Sequence, residues 1–444
     1  MKNTMRPRSW KTSRAMMFLA VAAVLFLLGS ASPVSDKQER NIYRSDVLTF
    51  QGDRTIAVHS LPSDSFLVIL NRRSSLPGDR SSSPYSVILR GIDPVERALL
   101  HDAENGQWER FDLFRAAMIA EGIRDIELIR AYEARLDALA AKVLQEIYAD
   151  CNAGQQADRF TEQGQEVSQT LFRQQILMRA LFEAMHREIL TRQYSIDCTE
   201  LSKVMETGRF NCVSATILFN CLAEKAGLNV SALEMPGHAL SRVRFADGTF
   251  MNIETTCPTW FELQSEQERQ LATLQRIAPQ SAAPSPLPGE VLSRHREISP
   301  VQLIATVYYN IGVDHHAKQR HAEAAAANIK ALYLDKDNEQ AWTNLLVSLN
   351  NWALDAASEE SGRKYDLAAF LLDQGVALDP SYDKFRTNYT YVFYLWIRDL
   401  THLGRFDDAR KVFELANAEN RIPNDEFLRT LIGKVNKLEK EQRK

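Results

Sequence analysis

The sequence predicts an α+β chain: a helical N-terminal part, a middle domain in which one helix leads into an antiparallel sheet, and an α-helical repeat solenoid. Three observations predict it. From Pro94 onward apolar residues recur at spacings of three and four, the period of an amphipathic helix. From "NVSALEMPG" through "HALSRVRF" to "TFMNIETT" that period gives way to short β-prone runs with a turn at Asp247-Gly248, a hairpin signal. Beyond Val301 a helix-turn-helix pattern returns about every 34 residues, the mark of a stacked array.

A chain of 444 residues exceeds one ordinary core. The predicted division is 1–35, a signal peptide or membrane anchor; 36–92, a small strand-containing or loosely ordered segment; 93–276, a helical segment plus the helix-and-sheet domain; 277–297, a linker; and 298–440, the repeats. A net charge of -4 and a pI of 6.2 leave no basic footprint, so no nucleic-acid partner is expected.

At the N-terminus Lys2, Arg6, Arg8, Lys11 and Arg14 precede the unbroken apolar run from Ala15 to Leu28. A basic flank followed by an apolar run reads as an export signal with its positive end in the cytoplasm. Gly29-Ser30-Ala31 offers small residues for cleavage after Ala31, and the uncharged stretch reaches Ser35, long enough for an uncleaved transmembrane anchor. Both readings stay open.

Residues 36–92 contain "FLVIL" and "YSVILRGI" around the loop "RRSSLPGDRSSSP", short strands with turn chemistry between them. Helical periodicity covers Pro94 to Tyr148 and returns in "VSQTLFRQQILMRALFEAMHREIL", after which "CTELSKVM" leads to the segment "GRFNCVSATILFNCLAEKAGLNV". There Asn211 is a good N-cap, Val213, Ile217, Leu218, Cys221 and Leu222 share one face, and Gly227 supplies a stop. "NVSALEMPG" and "HALSRVRF" read as strands, and "IAPQSAAPSPLPGEVL" as an extended linker. In the repeats Gly312, Ala324, Ala331 and Leu332 occupy packing positions, similar pieces recur in "LAAFLLDQGVALDPSYDKFRTNY" and "HLGRFDDARKVFELANAENRIPND", and the second unit carries a longer polar insertion. His315, His316 and His321 have no carboxylate or thiol company and read as a solvated face.

Five cysteines, Cys151, Cys198, Cys212, Cys221 and Cys257, are too few and too irregular for a disulfide framework, and their odd number leaves one unpaired or paired between chains. No spacing reads as a zinc site and no glycine pattern as a nucleotide site; no metal and no cofactor are expected. Cys212 differs from the others. It falls in the first turn of its helix, where free N–H groups and the helix dipole favour an anion and hence the reactive thiolate. Cys221 lies further along the apolar face and reads as core.

The hairpin "FADGTF" decides whether an acid joins His238. In a plain two-residue turn Phe245 pairs with Phe250, and Glu254 faces away from His238. With Gly248 as the left-handed residue of a three-residue loop, Phe245 pairs with Thr249 and Glu254 becomes a diagonal neighbour of His238. A triad requires the second register.

A Cys opening a helix in "NCVSAT", a His at a strand start in "PGHAL" and an acid on the next strand in "NIETT" resemble the transglutaminase-like branch of the papain-type cysteine enzymes, in particular its bacterial exported members, over Gln193 to Trp260. The resemblance implies Cys212 as nucleophile, His238 as general base and acid, and Glu254 as the residue orienting the imidazole. It implies acyl transfer on a protein or peptide amide through a thioester, with hydrolysis favoured over crosslinking. Two departures stand out: the third position is commonly Asp, and the separation of Cys212 from His238 is short. The Cys212 backbone N–H is the expected oxyanion donor. Val301 to Leu438 resemble degenerate tetratricopeptide repeats, which implies a protein or peptide partner on the solenoid. The expected location is periplasmic or secreted if the signal is cleaved, and inner-membrane anchored facing the periplasm if it is not. The alternative function is a non-catalytic envelope scaffold that works through its repeats.

Overall fold

The computed structural model describes residues 48–51, 65–71, 84–154, 163–265, 295–417 and 426–442. Strands β1 (Leu48–Gln51), β2 (Ser65–Asn71) and β3 (Pro84–Arg90) form an antiparallel sheet in the order β1-β3-β2. Phe66, Val68 and Leu70 alternate inward along β2 while Ile69 stays exposed, and Val87, Ile88 and Leu89 of the central strand are all buried.

The helical periodicity after Pro94 resolves into three helices, α1 (Pro94–Asp102), α2 (Leu113–Ala120) and α3 (Ile126–Gly154). Asp93 caps α1 by accepting from the Val95 and Glu96 N–H groups, with Pro94 at the first position, and Asp112 caps α2. Helix α4 (Gln163–Glu188) follows, then α5 (Leu201–Thr207) and α6 (Cys212–Lys225). Helix α5 ends on Gly208, whose φ of 73° needs a residue without a Cβ.

Strands β4 (Asn229–Met235), β5 (His238–Arg244), β6 (Phe250–Ile253) and β7 (Arg296–Ile298) make a second antiparallel sheet in the order β6-β5-β4-β7. Helix α6 packs on β4 and β5 and is flanked by α2, α3 and α4. The sequence suggested one apolar face for α6, yet every residue from Cys212 to Ala223 is buried. The polar residues of its other face are buried because each has a partner. Asn220 accepts from the Ser241 hydroxyl at 2.6 Å, and Thr216 bonds Thr255 at 3.0 Å. Of the expected linker 277–297, residues up to 294 lie outside the described residues, while Arg296 and Glu297 belong to β7. Three residues rich in charge give no strand signal in a sequence; pairing with β4 makes the strand.

The C-terminal part is a helical repeat solenoid: α7 (Pro300–Ala317), α8 (His321–Leu334), α9 (Glu339–Ala357), α10 (Tyr365–Leu378), α11 (Asp383–His402), α12 (Phe406–Asn417) and α13 (Glu426–Gln442). Each helix packs on the next. Gly312 lets α7 approach Asn328 of α8, and Gly375 lies so near the Phe385 ring that a Cβ there would stand 2.3 Å from it. The polar insertion of the second unit is the turn 358–364 between α9 and α10.

The first helix pair also docks on the preceding elements. Tyr308 donates to Glu96 of α1 at 2.8 Å, Lys330 pairs with the same carboxylate at 3.0 Å, and Phe66 meets the Tyr333 ring edge-on at 5.0 Å. Arg296 of β7 spans Glu234 of β4 at 2.6 Å and Asp335 at the end of α8.

Two expectations are corrected. Among the described residues no helix is long and apolar enough to cross a membrane, which overturns the transmembrane assignment; the run Ala15 to Leu28 on which it rested lies outside the described residues. His315, His316 and His321 are half-buried instead of solvated, and their Nδ1 atoms have no hydrogen-bond partner. The tight α7–α8 turn folds them inward and brings the His316 and His321 rings to 5.5 Å, tilted by 58°.

Candidate active site

Asn211 fixes the start of α6. Its side-chain oxygen accepts from the Val213 and Ser214 N–H groups, both at 3.0 Å, and the Ser214 hydroxyl accepts from the Asn211 N–H at 3.0 Å. This reciprocal box satisfies orphan donors of the first turn. The Asn211 amide also donates to Thr199 Oγ1 at 2.7 Å and to the Ile196 carbonyl at 3.1 Å, and Ser214 donates to the Cys198 carbonyl at 2.8 Å. The helix terminus is thereby fastened to the loop before α5. Cys212 sits at the first helical position, 8% exposed and free, as are Cys198, Cys221 and Cys257.

The β4–β5 turn delivers the histidine. Met235 and His238 pair directly, so Pro236-Gly237 is a two-residue turn, with Gly237 at φ 73°. Beyond β5 the loop is the three-residue form. Phe245 N–H donates to Thr249 O at 2.8 Å, Gly248 has φ 86°, and Arg244 pairs with Phe250. That register carries Glu254 to the face of His238. Nε2 of His238 donates to Glu254 Oε2 at 2.7 Å, with both side chains buried. The other Glu254 oxygen accepts from the Thr256 N–H at 3.0 Å and from its hydroxyl at 2.6 Å.

The imidazole also interacts with the Cys212 side chain. Burial alone pushes His238 down, but the Cys212 sulfur and the Glu254 carboxylate outweigh it and push the ring up from 6.5 to about 10. Both neighbours thus favour the protonated form of the ring.

Other residues complete the arrangement, and the sequence reading did not single them out. Tyr194 bridges to Phe210 through the backbone and meets its ring edge-on at 6.3 Å. The residue is 46% exposed while its hydroxyl lies against the Cys212 thiol and backbone N–H; burial first, then the sulfur and Glu254, push the phenol upward. His186 of α4 donates from Nε2 to the Thr255 carbonyl at 3.1 Å, and burial pushes it down to about 4, so it is neutral. It steadies the segment that carries Glu254. A Thr directly after "NIET" is a signal for a carboxylate-holding hydroxyl; nothing in the sequence links Tyr194, Thr199 or His186 to Cys212. Among the described residues no group of three or more His, Cys, Asp or Glu is arranged to hold a metal ion.

Residues 130–267 match the family model described as the transglutaminase-like superfamily, a span that contains Tyr194, Cys212, His238 and Glu254. A comparison with curated proteins gives no match.

Proposed function

We propose that the transglutaminase-like superfamily domain of this chain is a cysteine acyl-transfer site acting on protein or peptide amides. The observation that carries the reading is the convergence of Cys212, His238 and Glu254, with the buried His238 ring bonded to the Glu254 carboxylate at 2.7 Å and its protonated form favoured by both neighbours. The Cys212 sulfur attacks the amide carbonyl carbon and forms a C–S bond. The Cys212 backbone N–H, which as the first helical N–H has no partner within α6, stabilises the oxygen that becomes negative. His238 gives its proton to the departing nitrogen as the C–N bond breaks, leaving a thioester. Water then attacks, His238 takes back a proton, and the acid leaves with the thiolate restored. Glu254 keeps the imidazole oriented and charge-balanced throughout. Tyr194 must yield part of its place over Cys212 for the carbonyl to enter. The C-terminal solenoid, tetratricopeptide-like in its small-residue positions, recruits the protein substrate or partner. The N-terminal basic and apolar segments support export of the domain.

The test is the alkylation rate of each cysteine by iodoacetamide, followed by peptide mass at pH 6 and pH 9, in the wild type and in His238→Ala. Cys212 is expected to react nearly as fast at pH 6 as at pH 9, and to slow at pH 6 by at least about tenfold in the variant. A second reading, a non-catalytic scaffold, draws on the 8% exposure of Cys212 beneath the Tyr194 hydroxyl. It predicts a Cys212 that stays unreactive at both pH values.

A further inference from the structure

The N-cap of α6 is held by a residue from outside its own domain. Thr199 Oγ1 accepts two N–H donors, one from Asn211 at 2.7 Å and one from Asn310 of α7 at 3.1 Å. Asn310 belongs to the first helix of the solenoid, which packs against α2, α6, β4 and β7. Thr199 and Asn211 are buried. The order of these contacts has a chemical consequence. Asn211 caps α6 only while its amide is turned so that the oxygen faces Val213 and Ser214, and the amide nitrogen's bonds to Thr199 and Ile196 set that turn. A hydroxyl that accepts twice has its oxygen fixed on both sides. Asn310 thus sets the position of Thr199, Thr199 the rotation of Asn211, and Asn211 the first turn of α6, where the Cys212 sulfur and backbone N–H project.

We propose that Asn310 is a positioning residue for Cys212, so that the first repeat helix is part of the acyl-transfer site and not only a platform for partners. The inference deepens the function proposed above and rests on it for its catalytic meaning. It also supplies a physical route by which a partner that shifts α7 alters the reactivity of Cys212. The coupling runs through four direct hydrogen bonds and requires no global change of conformation.

The experiment uses the full chain with Asn310→Ala, Asn310→Gln, Thr199→Val and the Asn310→Ala/Thr199→Val pair. Three quantities are read: Cys212 alkylation at pH 6, amide hydrogen exchange at Val213 and Ser214, and melting temperature. Asn310→Ala is expected to slow alkylation about fivefold, the size of a weakened cap, and to speed exchange at Val213 and Ser214 but not in α9. Asn310→Gln, which keeps the donor, recovers most of both. The double variant reacts like Thr199→Val alone, because both act on one chain of bonds. Wild-type alkylation and exchange in Asn310→Ala, or effects that multiply in the double variant, overturn the proposal, as does a lower melting temperature without faster exchange at the cap. If wild-type Cys212 is itself unreactive, the acyl-transfer reading fails, and the exchange rates still decide whether Asn310 positions the cap.

Discussion

Glu254 is fully buried and accepts three hydrogen bonds, one from His238 and two from Thr256. A buried carboxylate that loses a donor bears a desolvation penalty, so Thr256→Val is expected to destabilise the protein by about 2 kcal/mol in urea unfolding and to slow Cys212 alkylation. The two histidines make opposite demands on pH. His238 rises from 6.5 to about 10 on folding, so its contribution is complete below pH 6.5 and is lost as the pH climbs through 10. His186 falls from 6.5 to about 4 through burial, so the unfolded chain binds its proton first and stability declines as the pH drops from 6.5 toward 4. His186→Gln keeps a donor for Thr255 and removes the titration. Its melting temperature is expected to fall less than the wild type's between pH 6.5 and 4, and an unchanged acid slope in this variant rules the account out. Cys212, His238 and Glu254 were legible in the sequence because each sits beside local punctuation: a cap, a Pro-Gly turn, a strand end. Tyr194, His186 and Thr199 were not, because each acts on its partner only across a contact between elements.

Among the elements, the β5–β6 hairpin shows how one residue sets a register. Gly248 supplies the positive φ of the three-residue loop, and the odd loop puts Glu254 on the His238 face; an even loop turns it away. That parity could be reasoned from Asp247-Gly248 but needed the fold to choose between two allowed turns. The solenoid carries a different constraint at Gly375, whose missing Cβ leaves room for the Phe385 ring. Gly375→Ala is expected to destabilise the protein by about 1–3 kcal/mol through overpacking, even though Ala is the better helix former. Thermal unfolding reads the sign directly, since a stabilised variant would mean that the ring moves aside without loss. Strand β7 and the burial of the whole circumference of α6 escaped the sequence because neither leaves a periodic trace. One is an edge strand of three residues, and the other is a helix whose polar side is paired inside the core.

At the scale of the whole molecule, the solenoid and the transglutaminase-like domain share polar junctions. Arg296 joins Glu234 to Asp335, and Gln302 donates to Asp335 at 3.1 Å. Asp335 is 2% exposed, so Arg296→Met strands a buried carboxylate and is expected to lower stability by about 2 kcal/mol, discounted for the partly exposed arginine. Urea unfolding of Arg296→Met beside the Arg296→Met/Asp335→Asn pair separates the causes: neutralising the acid should recover most of the loss if the stranded charge is responsible. By itself the sequence determined the α+β class, the repeat region and the order Cys212, His238, Glu254, because period, caps and turn residues are local properties of a chain. Tertiary structure alone decided that Tyr194 lies over the cysteine, that His186 steadies the acid segment and that Asn310 reaches the helix cap, because those hydrogen bonds and contacts join residues whose separation along the chain carries no pattern.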